Sequence, residues 1–204
     1  MSTKIRIARA QLGTALELFI RDKDPISVQT LACGGSEIIE GLNQQADNPT
    51  LSTHILKNFP EIEFGKIKKL RNQYWNAIKH FYQQDGKTAR NDDDLMADFT
   101  DKANDAVLFM GWLDYLLLKK RLPIEAQVFQ VWWYATNPES MNPDIDPTPW
   151  QSVFPNIEGQ SRQEQKRRLR IAVEKWRTDK NILGDPRTEL EPLCVGASQS
   201  DLRS

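Results

Sequence analysis

Apolar residues recur every three or four positions along most of this chain, the period of an amphipathic α-helix. Ile5, Ala8, Leu12, Leu16 and Phe19 set a first stripe over about the first 20 residues. The segment DKDP breaks it. Asp24 is placed to cap the next helix, and Pro25 stands at its first position, where a missing N–H costs nothing. Val28, Leu31, Gly35, Ile38 and Leu42 then predict a helix over residues 25–44. Gly34 and Gly35 lie inside it. A glycine costs roughly 1 kcal/mol relative to alanine in a helix, so Gly35 on the stripe predicts close approach by a neighbouring helix. The alternative, a phosphate-binding loop, needs a preceding strand, and the pattern offers none.

After the loop NQQADNPT, the stretch LSTHILKNF reads as a short helical piece. Ile67, Leu70, Tyr74, Ala77, Ile78 and Phe81 predict a third long helix over residues 65–84. A fourth, over residues 93–120, sets Phe99, Ala103, Ala106, Met110, Leu113 and Leu117 against an opposite row of Asp94, Asp98, Asp101 and Asp105. That acidic row reads as a solvated face, with a metal-binding row as the alternative. Within this helix AVLFMGWLDYLLL (residues 106–118) is apolar nearly all round. Such a helix is buried on two sides, and the second side suggests a partner subunit, hence a homodimer. Pro123 opens a further helix ending in Trp132, Trp133 and Tyr134. No segment has a persuasive strand period.

The pattern then changes. Residues 135–160 hold five prolines and read as an extended linker. Ser161 and Glu164 form a capping box that opens a basic amphipathic helix over residues 161–179. Residues 180–204 read as a disordered tail. The fold expected is all-α: an antiparallel helical bundle of four to five helices over residues 1–134, plus the C-terminal basic helix.

Charge changes the picture little. The 204 residues carry 27 Lys and Arg against 28 Asp and Glu, a net charge of −1, so there is no general pull toward nucleic acid or membrane. The balance is uneven, however. Residues 1–160 hold 17 basic and 21 acidic side chains, and residues 161–204 hold 10 and 7. An anionic partner, RNA or protein, would therefore meet the C-terminal part, where Lys166, Arg167, Arg168 and Arg170 are the candidate phosphate contacts. The competing reading is a solvated helix that packs its narrow stripe of Leu169, Ala172, Val173 and Trp176 on the bundle. Cys33 and Cys194 are the only cysteines, which gives neither a disulfide framework nor a metal-ligand spacing and suggests a reducing, cytoplasmic setting. No motif points to a cofactor. The N-terminus lacks a signal-peptide core, and no apolar run approaches the roughly 18 residues of a membrane span.

Two segments carry a resemblance. QTLACGGSEIIEGL (residues 29–42), followed by YWNAIKHF (residues 74–81), resembles the HEPN helical proteins, the higher-eukaryote-and-prokaryote nucleotide-binding group. The likeness extends over about residues 5–120. It implies an antiparallel bundle, commonly homodimeric, of a bacterial stress or defence type. Active members are metal-independent ribonucleases whose arginine and histidine work together. The imidazole does acid or base work and the guanidinium neutralises phosphate. By this match His80 takes the histidine position, Lys79 the preceding lysine and Asn76 the polar position, while Glu37 matches the acid of the second helix. Trp75 stands where the arginine belongs, and the nearest arginine is Arg71. Nine helical residues set Arg71 and His80 roughly 180° and about 13 Å apart on one straight helix, so they cannot grip one phosphate within a subunit. Asn76 and His80 do share a face.

The expectation is accordingly a degenerate, non-catalytic, RNA-associated or interaction protein. The alternative is a metal-independent endoribonuclease using His80 with Asn76, Lys79 and Arg71. Glu37 faces either a groove or water. Asp114 falls on the apolar side of the fourth helix. It either finds a partner in His80, Lys79 or Arg71, or is an exposed acid at a dimer rim.

Overall fold

The computed structural model describes residues 3–58, 61, 63–141 and 144–194. These residues are mostly helical, with one two-stranded piece of sheet. Helix α1 (Thr3–Ile20) buries Ala8, Leu12, Ala15, Leu16 and Phe19. Its neighbour α2 (Pro25–Gln45) starts as the sequence suggests, with the Asp24 carboxylate accepting hydrogen bonds from the Ile26 and Ser27 backbone N–H groups. Helix α3 (Leu51–Asn58) and helix α4 (Phe64–Lys79) follow. Helix α6 (Ala103–Lys119) packs along α2 after the short α5 (Asp93–Ala97).

Two glycines set how closely the central helices approach. A Cβ on Gly35 would lie 2.8 Å from Leu12 Cγ on α1, and one on Gly111 would lie 2.4 Å from Ser36 Oγ on α2. The helical cost of Gly35 is therefore offset by α1–α2 contact, as its place on the stripe predicts.

Other expectations are corrected. The third long helix stops at Lys79, because residues 80–90 turn back through an antiparallel bridge between Tyr82 and Ala89, with Gly86 at φ 69°. The fourth is broken between α5 and α6. There Phe99 packs its ring edge-on against Tyr74, and the Asp101 carboxylate is taken by Arg162 and Lys166, so tertiary contacts override helical continuity. The second apolar side of α6 is met within the chain. Helix α7 (Ile124–Thr136) stacks Trp133 on Phe109 at 3.8 Å and sets Phe129 and Trp132 edge-on to Phe19.

The proline-rich segment is not an extended linker. It forms a turn at Pro138–Ser140 and the short α8 (Thr148–Gln151), and it anchors Phe154 and Ile157 in the core. Helix α9 (Arg162–Trp176) buries Leu169, Ala172 and Val173, and lies against α7, where Trp132 Nε1 donates to the Gln165 carbonyl.

The expected disordered tail is folded as far as residue 194, and its remainder lies outside the described residues. It contains α10 (Lys180–Gly184) and β2 (Thr188–Glu189), which pairs in parallel with β1 (Leu122–Pro123). Leu193 is buried in the core. Arg9, itself buried on α1, holds this segment by donating to Glu189 Oε1 at 2.6 Å, to the Leu193 carbonyl at 2.8 Å and to the Pro192 carbonyl at 3.2 Å. Tyr115 adds a hydrogen bond to Glu189 Oε2. Among the described residues no helix is long and apolar enough to cross a membrane.

Candidate functional site

Helix α4 divides the residues that the family resemblance groups together. Arg71 turns inward toward α2. Its Nη1 donates to Glu40 Oε2 at 3.0 Å, and both side chains are only 3% exposed. Its Nε donates to Asn72 Oδ1, and Ser52 Oγ donates to the other Glu40 oxygen at 2.9 Å. His80 ends the helix. Its backbone N–H donates to the Asn76 carbonyl, and its side chain is exposed. Lys79 is exposed and lays its ammonium 3.9 Å from the ring centre of Trp75, which is buried. Trp75 thus uses the motif's arginine position for packing. Asn76 is half-buried. No phosphate-gripping pair of Arg71 and His80 forms within the chain.

Asp114 is buried and caps α3: its Oδ1 accepts from the Leu51 backbone N–H at 2.7 Å, while its carbonyl accepts from Asn43 Nδ2 at 2.8 Å. Burial pushes the carboxyl up to about 6, and the charge of Glu40 adds to that, while the Leu51 N–H and Arg71 oppose it. The partner is therefore a helix N-terminus, not His80, Lys79 or a direct bond from Arg71, and the dimer-rim reading is corrected. Glu37 is exposed, so of its two readings the water-facing one holds.

The acid that matters lies three residues on. Gln29, Ser36, Glu40 and Asn43 are all buried and follow helical spacing along α2, with Cys33 among them. This inward polar row meets α3, α4 and α6: Glu40 takes Ser52 and Arg71, Ser36 Oγ donates to the Val107 carbonyl, and Asn43 takes Asp114. A wheel drawn for apolar residues alone misses it. The signal was the recurrence of polar residues at three- and four-residue steps beside an apolar stripe. Cys33 receives a hydrogen bond from Gln29 Nε2, and burial pushes its thiol up to about 12, so it is inert.

Beside this row lies a cleft of about 430 Å³ between α2, α4 and α6, with Ile55 of α3 at its edge. Arg71 and Gln29 line it together with apolar side chains. Arg71 Nη2 and Gln29 Oε1 are both buried without a hydrogen-bond partner among the described residues.

The four candidate phosphate contacts of α9 do not form a common surface. Lys166 is 1% exposed, with Nζ 2.9 Å from Asp22 Oδ1 and 2.7 Å from Asp101 Oδ1, and it sits over the Phe19 ring. Arg167 and Arg168 both pair with Glu164, and Arg170 donates to the Ile20 carbonyl. Arg162, on the same helix, holds Asp101 and Asp105. The predicted acidic row is thus half consumed as a docking surface for α9. Lys166 is corrected from a phosphate contact to an internal ion pair.

No family model, curated protein or solved structure matches this chain. What the arrangement can do chemically follows from its own geometry. Arg71 is committed to an internal carboxylate, His80 stands apart, and an apolar cleft keeps two polar atoms unsatisfied.

Proposed function

We propose that this chain is a HEPN-like helical protein that acts by association and does not cut RNA. In this reading α1, α2, α4 and α6 are the antiparallel bundle of that family, and RNA or another anionic molecule is the partner class. One observation carries the non-catalytic half: the Arg71 guanidinium is tied to Glu40 in the interior, while the His80 imidazole is in solvent at the end of the same helix. A general acid or base without a cation on the phosphate lacks the charge stabilisation that the family's reaction needs. The exposed cations available to an anionic partner include Lys79 and Arg167. The homodimer rests on the family resemblance alone, since α6 is covered by α7.

The test is labelled RNA incubated with purified protein in EDTA, beside His80→Ala. Equal background from both is expected, with RNA retained in a filter-binding assay. Cleavage by the wild type that disappears in the variant overturns the reading.

A further inference from the structure

We infer that the cleft between α2, α4 and α6 is a binding site for a small uncharged molecule that joins an apolar or aromatic body to an amide-type head.

Its size, about 430 Å³, falls within the range of small-molecule sites. Its walls are apolar: Ile55, Ile67, Tyr74, Val107 and Met110 face it, and a methionine adapts readily to an occupant's shape. Its polar content is one donor and one acceptor. Arg71 Nη2 has a hydrogen to give, Gln29 Oε1 has lone pairs to fill, and neither has a partner. Each such atom costs on the order of a hydrogen bond while it stays unpaired, so a ligand that satisfies both gains more than its contact area. A carbonyl takes the Arg71 hydrogen and an N–H fills Gln29. An amide supplies both.

Charge decides between an amide and a carboxylate or phosphate. The positive charge of Arg71 is already met by Glu40 at 3.0 Å, and the Asp114 carboxyl is close enough to feel both. A second anion would bring an uncompensated negative charge into this interior. Lys66 lines the rim but is exposed, where its charge is screened. The inference is independent of the non-catalytic reading, and its failure would leave that reading standing.

The full chain is titrated by isothermal calorimetry with naphthamide and with naphthoate, two probes with one ring system and different heads. Saturable binding of naphthamide is expected, with naphthoate at least about ten-fold weaker. Ala106 lines the cleft and is exposed, so Ala106→Trp places an indole in the cleft without needing room in the core. That variant is expected to melt as the wild type does and to lose naphthamide. The inference is overturned by no saturation at millimolar naphthamide, by naphthoate binding as well or better, or by undiminished binding to Ala106→Trp.

Discussion

Arg71 on α4 donates to Glu40 on α2 from the interior, and the sequence distance between them is 31 residues. The pair ties two helices together where no water can replace either partner. Removing one partner leaves a buried charge alone, which costs about 3–5 kcal/mol. Arg71→Met and Glu40→Leu are each expected to lower stability by about that amount in urea unfolding. The double variant should be less destabilised than the two losses added together. An additive double variant would mean that the two charges do not act as a pair.

Asp114 gives a pH dependence whose sign is fixed. Its folded pKa, about 6, lies above the ordinary carboxyl value of 3.8, so the folded state holds the proton more tightly. The corresponding stability is fully present below the ordinary value and is lost as pH rises through about 6. Asp114→Asn keeps an oxygen for the Leu51 N–H and removes the titration. Between pH 4 and 7 the wild type is expected to lose on the order of 1–3 kcal/mol relative to this variant. Urea midpoints at matched pH values measure it, and parallel curves would exclude the effect.

Adjacent residues on α9 should behave differently. Lys166 is 1% exposed between two carboxylates, whereas Arg167 is 56% exposed and pairs within its own helix. Lys166→Ala is expected to cost about 2–3 kcal/mol, and Arg167→Ala less than about 0.5 kcal/mol. For RNA the order reverses. Arg167→Glu should weaken any binding and flatten its salt dependence, while a folded Lys166→Met should leave binding unchanged. Filter binding at several salt concentrations tests both.

Two glycines of similar helical context should move stability in opposite directions. Gly111→Ala would put a methyl group 2.4 Å from Ser36 Oγ and 2.7 Å from Leu12 Cδ2, and overpacking of this kind costs about 1–3 kcal/mol. Gly41 on α2 meets nothing within 4 Å. Gly41→Ala is expected to gain about 0.5–1 kcal/mol from helix propensity. Thermal unfolding of both variants checks the contrast.

What the sequence disclosed, and what it hid, divides along physical lines. Local chemistry was legible: the Asp24 cap with Pro25 at the helix start, the Ser161 cap of α9 and the α1–α2 approach at Gly35. Features decided by distant partners were not. The break before α6 depends on Asp101 meeting Arg162 and Lys166 from the far end of the chain. Phe154 and Ile157 stand between prolines with no period, yet each fills the core. The two-residue pairing of β1 with β2 is too short to leave a pattern. At the site, the opposite directions of Arg71 and His80 followed from helix geometry, but Glu40 as the arginine's partner did not. It lay on a polar row that a search for apolar residues passes over.

Arg9 and the Leu193 carbonyl are 184 positions apart, and a guanidinium on the opening helix is satisfied only by the closing segment. As the polypeptide leaves the ribosome, α1 and α2 have a complete apolar interface long before that segment emerges. Arg9 must wait for nearly the whole of synthesis with its charge unmet. Maturation therefore finishes with a latch at the last translated part of the core, and a nascent chain cut short ahead of Glu189 would carry an inward-facing cation without its counter-ion.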